Sequence, residues 1–218
     1  MIIAVDGPAG SGKSTVADIV AKKLGFIHFN SGLLYRGITA YLLKNELDIN
    51  DVKKEDIILE TSFIGDVQHV FVNGEDYTPY LRENIVSINS TIVGKNPITR
   101  QIVDDCQRTF CSANNCIIDG RDIGTHVFPN AELKFYVDCN VKVRAKRRFL
   151  EEQEKNSNVS LKAIEMQIIE RDETDKNRKI APLVQAPDAI YIDTSDLTID
   201  QVVELMMKYY YELGLTQK

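Results

Sequence analysis

Residues 7–14 read Gly7-Pro8-Ala9-Gly10-Ser11-Gly12-Lys13-Ser14, which fits the pattern G-x-x-x-x-G-K-[ST]. The apolar run at residues 2–6 predicts a buried strand before this stretch, and the apolar spacing of residues 14–24 predicts a helix after it. Glycines permit the torsions that turn successive backbone N–H groups onto one anion, and a helix N-terminus adds positive potential. The stretch is therefore predicted to be a phosphate-binding loop (P-loop) for a nucleoside triphosphate.

Two side chains of this loop, and one later carboxylate, have expected chemical roles. Lys13 is expected to reach the β- and γ-phosphates of ATP, and the Ser14 hydroxyl to ligate Mg²⁺. Asp119, at the end of a later apolar strand, is a candidate for holding the same ion through water. The alternative is a glycine-rich turn that matches by chance, and the flanking strand and helix argue against it. The predicted ATP-binding residues are Gly7, Pro8, Ala9, Gly10, Ser11, Gly12, Lys13, Ser14 and Thr15.

The rest of the chain alternates strands with helices, which predicts an α/β fold of three layers, α/β/α, around a five-stranded parallel sheet. Val67, Val70 and Val72 lead into Asn73-Gly74, a hairpin signal that predicts a small antiparallel insertion within one domain spanning residues 1–218. Strands are expected at residues 2–6, 27–29, 116–119, 133–137 and 189–193. Helices are expected at residues 14–24, 34–44, 81–93, 98–110, 141–154, 161–171 and 199–213.

Composition limits the possible partners and compartments. The net charge of −6, from 26 basic and 32 acidic residues, argues against nucleic acid as the main partner. No apolar run approaches the roughly 20 residues of a membrane span, and no signal peptide is visible at the start. We expect a cytoplasmic protein with reduced thiols, because no cysteines form a Cys-x-x-Cys pair. The cysteines are Cys106, Cys111, Cys116 and Cys139.

Arginines and aspartates collect in the later segments. Asp119-Gly120-Arg121-Asp122 follows the third strand and is expected at the carboxyl end of the sheet, where open α/β folds bind ligands. Arg171, Asp175 and Arg178 are spaced i, i+4 and i+7, which predicts one helix face with a carboxylate between two guanidiniums. The alternatives are an aspartate-capped turn and a solvated ion-pair stripe. Because no Asn-Lys-x-Asp guanine motif is present, this pattern favours a kinase over a switch GTPase.

At several separated places the sequence resembles the bacterial-type cytidylate kinases, a branch of the nucleoside monophosphate kinases. The resemblance runs essentially from end to end, with a P-loop kinase fold, a helical lid at about residues 150–180 and a monophosphate-binding region, including the insertion, at about residues 31–100. Departures from the family pattern occur at Asn30, Thr174 and His126. The resemblance is carried by Asp6 to Thr15, Ser31-Gly32, Tyr35-Arg36, Asp119 to Thr125, Arg171-Asp172, Asp175, Asn177-Arg178 and Ala181-Pro182-Leu183.

The resemblance implies site residues beyond the P-loop. The cytosine edge would be read by Thr91, Arg100 and Asp122, which suits a pyrimidine whose amino group donates to a carboxylate. The arginines surrounding the acceptor phosphate would be Arg36, Arg121 and Arg178, and Arg171 and Asp175 would reach the ribose or the phosphates. The catalytic residues implied are Lys13, Arg121, Arg171 and Arg178. The CMP-binding residues implied are Ser31, Tyr35, Arg36, Thr91, Arg100, Arg121, Asp122, Asp175 and Arg178.

The predicted reaction is in-line transfer of the γ-phosphoryl group of MgATP to CMP or dCMP by a monomer. One alternative is a P-loop kinase for another monophosphate or for a polar metabolite such as shikimate. Another is a non-catalytic ATP-binding switch. His28 and His69 are expected to have ordinary structural roles, because neither has metal-ligand partners at suitable spacing.

Overall fold

A computed structural model of the chain describes residues 1–154 and 159–214. It divides into two compact units, the first containing Met1–His28 and Cys116–Lys218 and the second containing Phe29–Asn115. The polar stretch of residues 155–158, predicted to separate two helices, lies outside the described residues. The predicted division into a single domain with a lid stays a prediction.

The secondary structure alternates as expected around the P-loop. The strands are β1 (Ile2–Asp6), β2 (Ile27–Asn30), β3 (Leu59–Ile64), β4 (Val67–Val72), β5 (Glu75–Asp76), β6 (Cys116–Gly120), β7 (Leu133–Asp138) and β8 (Ile190–Asp193). The helices are α1 (Lys13–Leu24), α2 (Ser31–Lys44), α3 (Asn84–Val93), α4 (Pro97–Ser112), α5 (Val141–Glu154), α6 (Leu161–Asn177) and α7 (Ile199–Glu212). Short 3₁₀ turns and one π-helical turn, Ile123–Val127, complete the described elements.

The larger sheet has five strands in the order β2-β6-β1-β7-β8, and the boundary between the two units falls within β2. Strand β1 pairs in parallel with both β6 and β7. In the β1–β6 register Asp6 lies opposite Gly120. The P-loop after β1 and the Arg121-Asp122 pair after β6 therefore start from the same end of two neighbouring strands, as the sequence predicts.

The core of the first unit lies where this sheet meets α1 and α7. Val5 of β1 and Phe135 of β7 are almost fully buried with Val16 of α1 and Met206 of α7. Burying such side chains stabilises the fold by roughly 1.5–3 kcal/mol each. Helix α1 ends at Leu24 and is capped by Gly25, whose φ of 65° lets its N–H reach the carbonyls of the last turn. This packing fixes the position of β1, the strand from which the P-loop starts.

The inserted sheet of the second unit is antiparallel, with the order β3-β4-β5. Asn73 and Gly74 join β4 to β5 with φ values of 52° and 80°, the torsions that a tight hairpin turn requires, which confirms the hairpin prediction. The sheet lies against α2, since a Cβ added to Gly37 would lie 2.4 Å from Val70 Cγ1. The Asn30 N–H also donates to Gln68 Oε1 at 2.8 Å. The insertion therefore fixes the helix that follows β2.

The structure confirms the parallel five-stranded sheet and the antiparallel insertion, and it corrects several helix bounds. Helix α2 begins at Ser31 and α3 only at Asn84, after a 3₁₀ turn at Thr78–Tyr80 whose Pro79 fits the first turn of a helix. Helix α6 continues to Asn177. Across residues 1–154 and 159–214, no helix combines the length and apolar character needed to cross a bilayer.

Candidate active site

The P-loop of the first unit has the backbone of an anion cradle. Gly10 and Gly12 have φ values of 75° and 87°, which a side chain would strain. Gly7 is required for a different reason, because a Cβ there would lie 2.1 Å from the carbonyl oxygen of Val137. Ser11 Oγ is buried and has no hydrogen-bond partner within the described part of the chain. An orphaned buried hydroxyl in a loop of inward-facing amides suits a bound phosphate.

Lys13 is buried beneath this loop and its ammonium group donates to Pro8 O at 3.0 Å. Burial, together with the nearby guanidiniums of Arg121 and Arg171, lowers the pKa of Lys13 from 10.5 to about 7, although Asp119 opposes the shift. The structure therefore brings together the P-loop lysine and two of the predicted arginines. An anionic phosphate would relieve the repulsion among these cations.

This lowered pKa predicts proton uptake when ATP binds. At pH 8 Lys13 is mostly neutral in the free protein, and a bound triphosphate should restore its ordinary pKa, so MgATP binding without acceptor should take up about 0.9 proton at pH 8 and about 0.1 at pH 6. Calorimetry in buffers of different ionisation enthalpy measures this number. A Lys13→Arg variant, whose guanidinium stays charged, should show no such difference between the two pH values. Equal uptake by the wild type at both pH values would contradict the assignment.

Asp119 and Ser14 form the predicted metal-binding pair. Ser14 Oγ donates to Asp119 Oδ2 at 2.6 Å, and His28 Nε2 lies 2.7 Å from Asp119 Oδ1. Burial raises the pKa of Asp119, but the hydrogen bond and charge of His28, with Lys13 and Ser14, outweigh burial and hold it below its usual value. The pair supplies a hydroxyl and an ionised carboxylate. These hard oxygen donors fit Mg²⁺, which keeps several waters and phosphate oxygens in its coordination shell.

The segment after β6 is organised by a buried carboxylate from the neighbouring strand. Asp6 accepts from the N–H groups of Ile123 and Gly124 at 2.8 and 2.7 Å. Burial raises the pKa of Asp6 to about 6 despite these hydrogen bonds. The turn carrying Arg121 and Asp122 is thereby tied to β1 at the start of the P-loop.

Arg121 and Asp122 each form an ion pair, with Asp175 in the last turn of α6 and with Arg178 directly after that helix. Arg121 Nε donates to Asp175 Oδ2 at 2.8 Å, and Arg178 Nη2 donates to Asp122 Oδ1 at 2.7 Å. Burial raises the pKa of Asp175, but Arg121, followed by Arg171 and Arg178, lowers it below its usual value. The four side chains are mostly buried. The structure thus brings these predicted site residues together in the first unit.

One part of the sequence interpretation is wrong. Arg178 does not share a helix face with Arg171 and Asp175, because α6 ends at Asn177 and Arg178 has extended torsions. The chain then folds back, so that the Leu183 N–H donates to Asp175 O and the Ala181 carbonyl accepts from Arg178 Nε. The carboxylate of Asp175 is hydrogen-bonded to Arg121 rather than held only between Arg171 and Arg178.

Sequence reasoning also missed two residues, Arg144 and Thr194, whose side chains donate hydrogen bonds to backbone carbonyls of the P-loop. The Arg144 guanidinium donates to the carbonyls of Ala9 and Cys139 and to Asp172 Oδ2, at 3.0, 2.8 and 2.6 Å. Thr194 Oγ1 donates to Ser11 O at 3.0 Å. The only available signal was the basic run at the start of α5. A cleft of about 500 Å³ opens between the P-loop, α5 and the start of α7, and its size suits a nucleotide.

The second unit holds the other predicted acceptor residues. Arg36 donates to Leu81 O and Ser87 Oγ at 3.2 and 3.3 Å. The Arg100 guanidinium lies 5.7 Å from the centre of the Tyr35 ring, a cation–π distance, and also donates to Gly94 O. Two further predicted residues, Ser31 and Thr91, lie in α2 and α3, where Ser31 is buried and the half-buried Thr91 donates to Ile88 O.

Within the described residues, no group of three or more His, Cys, Asp or Glu side chains is arranged to hold a metal ion. Cys106, Cys111, Cys116 and Cys139 form no disulfide within the described residues.

Known proteins resemble this chain in sequence and in fold. The family model described as cytidylate kinase matches residues 3–212. The cytidylate kinases of Ligilactobacillus salivarius and Bacillus licheniformis are each 42% identical over 215 residues, covering 96% and 95% of both chains respectively. A solved shikimate kinase from Acinetobacter baumannii in complex with shikimate has a TM-score of 0.50 at 14% identity, over 99% of this chain and 95% of that one. That likeness shows the fold alone. The chain belongs to the cytidylate kinase family.

Proposed function

We propose that this chain transfers the γ-phosphoryl group of MgATP to CMP or dCMP, giving ADP and CDP or dCDP. The observation that carries the proposal is the buried Lys13 of the P-loop, whose pKa is lowered by burial and by the nearby, partly buried cations Arg121 and Arg171. A site that binds one triphosphate and an acceptor already carrying phosphate needs more cations than a P-loop alone supplies. Full-length similarity to named cytidylate kinases supports the choice of acceptor.

The catalysis that these residues support is positioning and charge stabilisation. The acceptor oxygen is already anionic, so no covalent intermediate with the enzyme is needed. Lys13 and the P-loop amides would hold the triphosphate, while Arg121, Arg171 and Arg178 would take up charge that develops on the transferred group. Ser14 and Asp119 would hold Mg²⁺, which supplies further charge neutralisation when bound.

Asp122 is proposed to read the cytosine base. Its carboxylate accepts from Arg178 Nη2, which fixes the position of the carboxylate. A carboxylate accepts from the N4 amino group of cytosine and meets an oxygen acceptor in uracil. In the second unit, Arg36, Arg100, Tyr35, Ser31 and Thr91 are proposed to contact the acceptor nucleotide, as in the resemblance. That the enzyme is a monomer and lies in the cytoplasm stays a prediction.

Equilibrium binding without ATP tests the acceptor assignment. Calorimetric titration with CMP, dCMP, UMP and AMP should give a Kd for CMP and dCMP that is lower than for UMP by about 10- to 100-fold. An Asp122→Asn variant offers an amide donor to uracil O4 and still accepts from Arg178, so its preference for CMP over UMP should fall below about tenfold. Tighter binding of AMP than of CMP by the wild type would overturn the assignment.

A further inference from the structure

A chain of three polar side chains connects α1, β2 and β6 beside the P-loop. Ser14 Oγ donates to Asp119 Oδ2 at 2.6 Å, and His28 Nε2 lies 2.7 Å from Asp119 Oδ1. All three residues belong to the first unit. His28, expected to be an ordinary strand residue, therefore contacts the carboxylate to which a metal role is assigned.

The two contacts use different oxygens of the same carboxylate. Asp119 is 3% exposed, so water cannot substitute freely for a lost partner. Because Oδ2 is held by Ser14 and Oδ1 by His28, rotation of the carboxylate about its Cβ–Cγ bond would break both hydrogen bonds. An ionised carboxylate is acceptor-only, so His28 Nε2 carries the proton in this contact. The other ring nitrogen, Nδ1, lies 3.7 Å from Asp18 Oδ1, which is beyond hydrogen-bonding distance.

This arrangement sets the direction in which the Ser14 hydroxyl donates its proton. Because the Ser14 hydroxyl donates its single proton to Asp119, its oxygen can act toward a cation only as a lone-pair donor. If Asp119 turned away, this hydrogen bond would be lost and Asp119 would no longer fix the direction of the Ser14 hydroxyl proton. Outer-shell partners that orient ligands in this way are worth about 10- to 100-fold in metal affinity.

We propose that His28 is a positioning residue for magnesium, acting through Asp119 on the orientation of the Ser14 hydroxyl. This inference rests on the proposed function, specifically on the assignment of Ser14 and Asp119 to the metal. His28 itself touches neither substrate nor metal in this scheme. Its effect is on the metal-dependent part of ATP binding and on turnover, and not on metal-free contacts between the P-loop and the triphosphate.

The test compares the Kd for ATP in excess Mg²⁺ with the Kd in EDTA, measured calorimetrically without acceptor. The Kd in EDTA divided by the Kd in Mg²⁺ reports how much the metal strengthens ATP binding. His28→Leu, which removes the donor, should reduce this ratio about tenfold while leaving the EDTA value within about twofold. His28→Gln, whose side-chain amide can still donate, should keep the ratio within about threefold of the wild type. Asp18→Asn, which alters the other carboxylate near the ring, should leave the ratio unchanged.

An Asp119→Asn variant distinguishes an error in the metal role of Asp119 from an error in the positioning role of His28. If it keeps the wild-type ratio, the metal role assigned under the proposed function is wrong. If it lowers the ratio and His28→Leu does not, only the role of His28 is wrong. The inference is also overturned if His28→Leu and His28→Gln reduce the ratio equally. It is overturned as well if the Kd for ATP rises as much in EDTA as in Mg²⁺. Melting temperatures of all variants confirm that folded proteins are compared.

Discussion

A Lys13→Met variant is expected to lose about 10³-fold or more in kcat while remaining folded. Lys13 is the buried cation of the P-loop, and methionine keeps its length without its charge. Removing preorganised positive charge from a phosphoryl-transfer site costs several orders of magnitude in rate. Steady-state ADP formation with saturating CMP measures the loss, and circular dichroism reports the fold. A variant with wild-type turnover would show that this lysine takes no part in transfer.

The same variant should change the pH dependence of stability. The unfolded chain holds the Lys13 proton up to a pKa near 10.5 and the folded protein only up to about 7. The unfolded state therefore binds more protons between these values, and the folded wild type loses stability as the pH falls toward 7. Methionine removes this penalty, which is on the order of several kcal/mol. Urea unfolding should show a larger gain for the variant at pH 6 than at pH 9, and an equal difference at both would contradict the buried-lysine account.

An Arg121→Gln variant is expected to lower kcat/KM for CMP by about 10²- to 10³-fold. Arg121 follows β6 beside the P-loop, donates to Asp175, and is the charge with the largest lowering effect on the pKa of Lys13, after the effect of burial. Glutamine removes a cation from the site and leaves the Asp175 carboxylate with less compensation. The free energy of unfolding should therefore also fall, by about 1–3 kcal/mol.

Two further measurements make this prediction specific. Loss of the Arg121 charge should raise the pKa of Lys13, so proton uptake on binding MgATP at pH 8 should be smaller in Arg121→Gln than in the wild type. Lys54→Gln is the matched control, because it removes a cation from the exposed Lys54–Asp105 pair. Its kcat/KM should stay within about twofold of the wild type. Equal losses in the two variants would point to general charge effects and contradict a local role for Arg121.

The arrangement of β1, β6 and the P-loop was predictable from the sequence because it depends on local patterns. Buried parallel strands read as continuous apolar runs, and the glycine pattern requires a strand before it and a helix after it. Since parallel strands end at one edge of a sheet, the Asp119-Gly120-Arg121-Asp122 segment could be expected beside the P-loop. The observed register of Asp6 with Gly120 agrees with that expectation.

The pairing of charged side chains was not predictable in the same way. Helical spacing suggested that Arg178 lies on α6, but the helix ends one residue earlier and the chain turns back at Ala181, whose φ is 47°. Arg144 supports Ala9 across 135 positions of sequence, and His28 reaches Asp119 across 91. Such contacts depend on which strands become neighbours, and no local period encodes them.

ADP formation from MgATP, measured with CMP, dCMP, UMP, AMP, GMP and shikimate offered one at a time, decides which acceptor this enzyme uses. We expect a rate that appears with CMP and dCMP, is far weaker with UMP, and is absent with shikimate. A best rate with a purine monophosphate or with shikimate, or no acceptor-dependent rate at all, would contradict it.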